Sequence, residues 1–173
     1  MTRTREERFT RLYEEHFDPV RRYVWRREPG MWEDVVSETF LVAWRRLDDV
    51  PADARPWLIG VARNVRLNAH RSARRQDSVA QRLLESSTPE PYEVEFVSDA
   101  VKQALGALSE PDREALLLSI WDELDRGQIA RVLATSKSNV SVRLHRARRR
   151  FAAALEQEST RSFLISGGAS DVC

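Results

Sequence analysis

Apolar residues recur at spacings of three and four along almost the whole of this chain, and nowhere do they alternate with polar ones over the length of a strand. That periodicity leaves room for helices only. Between Trp32 and Leu47 it is unbroken: Trp32, Val35, Val36, Thr39, Phe40, Ala43, Trp44 and Leu47 form one stripe. Upstream, Phe9, Leu12, Tyr13, Phe17, Val20 and Val24 define another, ended by "EPG" at 28–30. "DDVPADARP" stops the second helix, because proline removes a backbone donor and aspartate favours turns. A third helix is predicted from about Pro56 to Arg75, with Leu58, Val61, Ala62 and Val65 inward.

Between Glu85 and Asp99 the composition shifts to five acids, two prolines and no basic residue. Loops of that length are uncommon inside compact domains, so the stretch reads as a flexible acidic tether. The expected organisation is all-α: a first helical domain over 1–76, a linker over 77–98, a second helical domain over 99–158 and a disordered tail over 159–173. In the second domain, Val97, Val101, Ala104, Leu105 and Leu108 mark one helix. "SEPD" is predicted to open the next as a capping box, Ser109 reaching the amide of Asp112 with Pro111 in the first turn. Asp125 with Gln128, and then Ser136, repeat the device. Only Ala134, Thr135 and Ser136 separate the last two helices, a helix-turn-helix spacing.

Net charge is +1, so what matters is where the signs sit. "SNVSVRLHRARRR", residues 138–150, carries five arginines and a histidine without an acid. At 100° per residue Val140, Leu144, Ala147 and Phe151 face one way, and Val142, His145, Arg146 and Arg149 face the other. Arg143 and Arg150 flank the outward face on one side, Lys137 and Arg148 on the other. A helix that enters a DNA groove needs this arrangement, with readers outward and cations towards both phosphate walls. A solvated helix normally interleaves Glu with Arg, and this one does not. A second basic block, residues 55–75, holds six arginines and no acid, together with Trp57, Asn64, Asn68 and His70. Rings and amides among cations suit single-stranded or distorted DNA, although Trp57 fits a core equally well. The helix from Trp32 is the opposite: its outer ridge, Asp34, Ser37, Glu38, Leu41 and Arg45, is acidic at one end, would repel DNA and should meet protein or water.

Taken in order, "EDVVSETFLVAWRRLDD", "ARPWLIGVARNVRLNAHR", "LSEPDREALLL" and "IARVLATSKSNVSVRLHRARRRF" resemble the extracytoplasmic-function sigma factors of bacterial RNA polymerase, from about Phe9 to Leu155. The resemblance implies a region 2-like domain whose Asp34, Ser37, Glu38 and Leu41 meet the clamp helices of the polymerase β′ subunit. It implies that "LDDVPADA" and the start of the next helix capture an unstacked base of the −10 element, with Trp57, Arg63, Asn64, Asn68 and Arg71 as −10 contacts. It further implies a region 4-like domain that holds the β flap and reads the −35 element. There Ser141, Val142, His145 and Arg146 would take the base-reading positions, and Arg143, Arg148 and Arg149 would accompany them on the DNA side. Many relatives have Gly where this chain has Ala134, and Gly-Thr where it has Ser138-Asn139. If Ala134 is left-handed, the turn costs about 1–2 kcal/mol.

Enzymatic readings find no support in the residues. His16, His70 and His145 lie in separate helices, and no Cys/His spacing suits zinc. No catalytic residue, metal or cofactor is expected. The lone cysteine, Cys173, rules out an intramolecular disulfide, and the polar "MTRTREERF" start does not read as a signal peptide. A soluble cytoplasmic protein without membrane insertion is expected. Its partners would be core RNA polymerase and promoter DNA; relatives commonly add an anti-sigma factor, which no residue here demands. A free-standing helix-turn-helix regulator of duplex operators and an adaptor for acidic proteins are the other readings the basic faces allow. The tail "STRSFLISGGASDVC" lies beyond the family core.

Overall fold

The structure, a computed structural model, describes residues 4–80 and 98–167. Among them every regular element is a helix: α1 (Arg5–Trp25), α2 (Trp32–Arg45), a single 3-10 turn (Leu47–Asp49), α3 (Ala54–Ala80), α4 (Asp99–Gly106), α5 (Glu110–Ile120), α6 (Arg126–Val132) and α7 (Lys137–Gly167). The chain divides into two compact units, one built on α1–α3 and the other on α4–α7. Most of the predicted acidic tether, residues 81–97, lies outside the described residues. Two boundaries move. α3 continues to Ala80, past the linker start expected at 77, and α7 continues to Gly167, past the tail boundary expected after 158. Residues 168–173, with Cys173, lie outside the described residues.

In the first unit α1, α2 and α3 pack against one another in every pairing. The predicted stripes supply the core: Val20 and Val24 from α1, Val35, Val36, Phe40 and Ala43 from α2, Leu58 and Ala62 from α3. Each fully buried aliphatic side chain contributes roughly 1.5–3 kcal/mol of transfer free energy. Val61 and Val65, expected inward, are only half-buried, and Ile59 takes the fully buried place beside Leu58. α1 starts on a reciprocal cap between Thr4 and Glu7 and runs through Pro19 without ending. An edge-on aromatic chain joins it to α2: Phe9 against Trp44 at 5.2 Å and Tyr13 against Phe40 at 4.8 Å. Arg8 then donates to Asp48 at 2.9 Å and Arg5 to the Trp44 carbonyl at 2.7 Å, which pins the turn after α2 to α1.

The second unit packs α4 and α5 on α7. Leu116 and Leu118 of α5, Ile129 of α6 and Val140, Leu144 and Ala147 of α7 are buried, as the face assignment of the last helix requires. Arg113 donates to the carbonyls of Leu105 (2.8 Å) and Leu108 (3.0 Å), so a cation closes the negative end of α4. The predicted caps fare differently. Asp125 accepts from the amides of Gly127 (2.6 Å) and Gln128 (2.9 Å), and Gln128 returns the bond at 3.0 Å. Ser136 accepts from Asn139 at 3.1 Å. Ser109 stands at the cap of α5 but makes no bond to an amide; its hydroxyl meets the Asp112 carboxylate instead.

Candidate protein and nucleic-acid interfaces

The first unit presents a groove between α2 and α3. Met31, Asp34, Val35, Ser37, Glu38 and Leu41 line one side, Val65 and Ala69 the other. The structure thus gathers Asp34, Ser37, Glu38 and Leu41 along one wall, all exposed, with Leu41 at 41% of its accessible surface. They converge because the helix repeat puts residues four apart on one ridge: Asp34 with Glu38, and Ser37 with Leu41. Arg45, exposed, lies 3.9 Å from Glu38, a pair that water weakens strongly. The apolar contributions of Met31, Val65 and Ala69 were not among the predicted contacts. The α3 pair falls on the edge of its stripe, half-buried, which is the available signal.

On α3 the expected −10 residues separate by role. Asn64 and Asn68 are exposed, four residues apart on one ridge, and Arg71 is exposed one turn on. Trp57 is half-buried with the Arg46 guanidinium 5.8 Å over its ring. Arg63 is half-buried, its Nε out of solvent and without a hydrogen-bond partner. Part of the basic block is committed internally. Glu28, from the turn after α1, accepts from Arg66 at 3.1 Å with both side chains mostly buried, and meets the His70 imidazole on the same carboxylate oxygen. Arg66 and His70 therefore hold α3 to the turn between α1 and α2 and do not belong to a free cationic face.

Between α1 and the turn after α2 lies a second hollow, lined by Leu12, His16, Leu47, Val50, Pro51 and Ala54, with Arg8 and Arg11 also on its walls. Burial lowers the His16 pKa, against an opposing effect of Glu15, so the ring lining this hollow favours its neutral form. His16 had no assigned role from the sequence. Its helix and the loop it faces are separate apolar stripes, and only their packing brings them together.

On α7 the residues expected to face outward are exposed. Val142 is 58% exposed, and His145, Arg148 and Arg149 are exposed. Arg143 is half-exposed, and among the described residues neither it nor His145, Arg148 or Arg149 has an ion-pair partner. The Ser141 hydroxyl donates to the Lys137 carbonyl at 3.0 Å, which leaves its oxygen as an acceptor towards solvent. Ala134 has φ 48°, the left-handed conformation the sequence raised. The turn is tied down around it: Thr135 N–H reaches the Ala130 carbonyl at 3.0 Å, and the Asn139 amide donates to the Thr135 hydroxyl at 2.9 Å.

Arg146 is already engaged inside its own unit. Its Nε and Nη2 donate to the two oxygens of Asp112, at 2.7 and 2.6 Å, and Asp112 has no solvent exposure. That edge is occupied, so the base-reading position expected of Arg146 would have to use the Nη1 side of the guanidinium, on a side chain that stays 47% exposed. Arg150 adds a longer contact to Asp112 at 3.9 Å. The Arg146 hydrogen bond is the main reason the Asp112 carboxyl titrates below the usual aspartate range, with the Ser109 hydroxyl and the Arg146 and Arg150 charges helping against desolvation. No sequence signal marked Asp112 as more than a cap residue.

Among the described residues no His, Cys, Asp and Glu cluster suits a metal ion, and no helix is long and apolar enough to cross a membrane. The sequence matches the family model of sigma-70 region 2 over residues 12–76 and that of sigma-70, region 4, over 98–151. It is 35% identical over 156 residues to the ECF RNA polymerase sigma factor SigL of Mycobacterium tuberculosis, covering 84% of this chain and 88% of that one. The fold is similar to that of RpoE from Bartonella quintana, solved with the anti-sigma factor NepR, at a TM-score of 0.65, 24% identity and coverage of 86% and 96%. It is also similar to that of CnrH, solved with the cytosolic domain of CnrY, at a TM-score of 0.60, 25% identity and coverage of 86% and 88%. An acid-rimmed groove on a region 2 unit and a basic helix-turn-helix on a region 4 unit, in this order and at this identity, place the chain in the extracytoplasmic-function sigma factors of bacterial RNA polymerase.

Proposed function

We propose that each unit of this sigma factor carries out a separate recognition step for core polymerase. The α2–α3 groove takes a helical element of the β′ clamp: apolar side chains seat on Val35, Leu41 and Val65, and basic ones pair with Asp34 and Glu38. α3 presents Asn64 and Asn68 to the separated strands of the −10 element, with Trp57, Arg63 and Arg71 around them. An unstacked base enters the hollow beside His16, where a neutral ring offers one donor and one acceptor. α7 lies in the −35 major groove, with Ser141, Val142 and His145 at base edges and Arg143, Arg148 and Arg149 on phosphates, while the second unit holds the β flap. The protein makes and breaks no bond itself, acts in the cytoplasm where polymerase works, and is held in check by an anti-sigma protein.

One observation carries this reading: the four residues expected at the polymerase contact line one wall of a single groove with an apolar floor. The test is to mix the purified chain with core polymerase on a promoter library and sequence the transcripts. Promoter-specific starts that need both components support it. Duplex binding without polymerase, and no specific starts with it, would favour a free-standing regulator.

A further inference from the structure

The outward face of α7 has a feature that promoter reading does not use. Asp112 is fully buried on α5, yet it holds the one guanidinium that sits between His145 and Arg149 on the DNA-facing side. A buried carboxylate without a partner would be costly, and here three groups satisfy it: two donors of Arg146 and the Ser109 hydroxyl. Arg146 in turn keeps 47% of its side chain exposed, so the rest of the guanidinium lies within reach of a second anion. The Nη1 side that stays exposed therefore meets a DNA phosphate with its positive charge already offset by the Asp112 carboxylate. The Arg150 guanidinium, 3.9 Å from Asp112 and 56% exposed, feels the same pull more weakly.

We infer that Asp112 is a positioning residue for DNA recognition, an internal counter-ion that withholds Arg146 from the phosphate backbone and fixes the rotation of α7 on α5. Two consequences follow from the geometry. The helix grips DNA with fewer cations than its sequence advertises, which lowers binding to arbitrary sequence. The bidentate contact also sets which side chains point into the groove, because a planar fork on a fixed carboxylate allows little rotation. Selectivity at the −35 element thus depends on a residue that never touches DNA. The inference rests on the reading that α7 lies on DNA, and the test separates the two.

The experiment measures binding of holoenzyme, reconstituted with core polymerase, to a labelled mixed-sequence duplex and to a promoter duplex chosen with the wild-type protein, across a series of salt concentrations. Asp112→Asn keeps the shape and removes the charge that holds Arg146. Mixed-sequence binding should tighten several-fold at low salt and the salt dependence should steepen by about one counterion, while the promoter preference falls. Asp112→Asn with Arg146→Gln should return the slope to the wild-type value. Arg146→Gln alone should leave the slope unchanged, which keeps the inference testable if Asp112→Asn folds poorly. Arg148→Gln is the control for α7 on DNA and should lower the slope by about one. If it does not, α7 is off the DNA and both readings fall. A lowered slope for Arg148→Gln with no rise for folded Asp112→Asn, or a lowered slope for Arg146→Gln, would overturn the role of Asp112 alone. Loss of stability without a change in slope would make Asp112 a structural residue only.

Discussion

In the α2–α3 groove an acidic rim, Asp34 and Glu38, borders an apolar floor of Val35, Leu41 and Val65. On α7 the exposed face carries Arg143, His145, Arg148 and Arg149 around a single apolar side chain, Val142. The two surfaces differ in more than sign. A protein partner supplies its own apolar side chains, so a surface built for it needs a floor to bury them against. A nucleic-acid backbone supplies phosphates and water, so a surface built for it needs cations held free and no floor. Each basic helix also gives up part of its charge to a single acid inside its own unit: Glu28 takes Arg66 and His70, and Asp112 takes Arg146. Counting arginines in the sequence therefore overstates the free positive charge of both helices.

The sharpest way to break the contrast is to reverse the sign of the groove. Asp34→Arg with Glu38→Arg should leave the fold intact, because both side chains are exposed and lie off the buried stripe. Like-charge contact with a basic partner costs several kcal/mol, so binding to core polymerase should fall by about a hundredfold or more. Co-purification and titration with core polymerase measure it. Unchanged affinity in a folded double variant would move the polymerase contact elsewhere, and the groove would lose its role.

How much of this was legible beforehand depended on distance along the chain. The stripe of α2 was read correctly because packing and periodicity both act within a few residues, and the Asp125–Gln128 cap for the same reason. Ser109 was misread one step further out: it takes the cap position, but its hydroxyl meets the Asp112 carboxylate and makes no bond to an amide. Pro19 gives a local stop signal, and α1 runs through it because the packing on both sides favours continuing. The pairs that edit the DNA-binding faces join residues 38 and 34 positions apart, and no local pattern announces them. Ala134 was legible only as a departure from its relatives, and the positive φ bears that out.

A smaller effect separates the two DNA-facing helices. α3 exposes two amides, Asn64 and Asn68, beside the cation Arg71, where α7 exposes mainly cations, so α3 should depend more on base identity and less on salt than α7. Asn64→Ala should reduce discrimination at the −10 element roughly tenfold, the loss of one base-edge contact at the low end of about 1–3 kcal/mol. The loss should be larger on a fully duplex promoter than on a pre-melted one, because capture of an extruded base offsets an unpairing cost of a few kcal/mol. The check is open-complex formation on both templates with each −10 substitution. Equal loss on the two templates would mean that Asn64 reads the base without stabilising the opened strand, and no loss on either would remove it from the site.

The smallest effect concerns backbone strain in the turn that leads into α7. Among the described residues, the only non-glycine residues with positive φ are Glu123 and Ala134, at 53° and 48°, and both belong to the α5–α7 stretch. At Ala134 the strain sits in the turn that sets α7, where a Cβ costs about 1–2 kcal/mol in a left-handed conformation. Ala134→Gly removes that cost but gives the unfolded chain more freedom, worth about 0.4–1 kcal/mol in the other direction. The net gain should be about 0.5–1 kcal/mol, read as a two- to fivefold slowing of amide hydrogen exchange in α5 and α7. Promoter selectivity should not change, because the Ser136 cap and the Thr135–Asn139 bond hold the entry to α7 without help from the Ala134 side chain, which is exposed. If exchange slows and selectivity also shifts, the turn sets the tilt of the helix through its strain, and the Asp112 clamp is not sufficient to fix it. If exchange does not slow, the left-handed residue is relaxed in this sequence and the strain argument fails at this position.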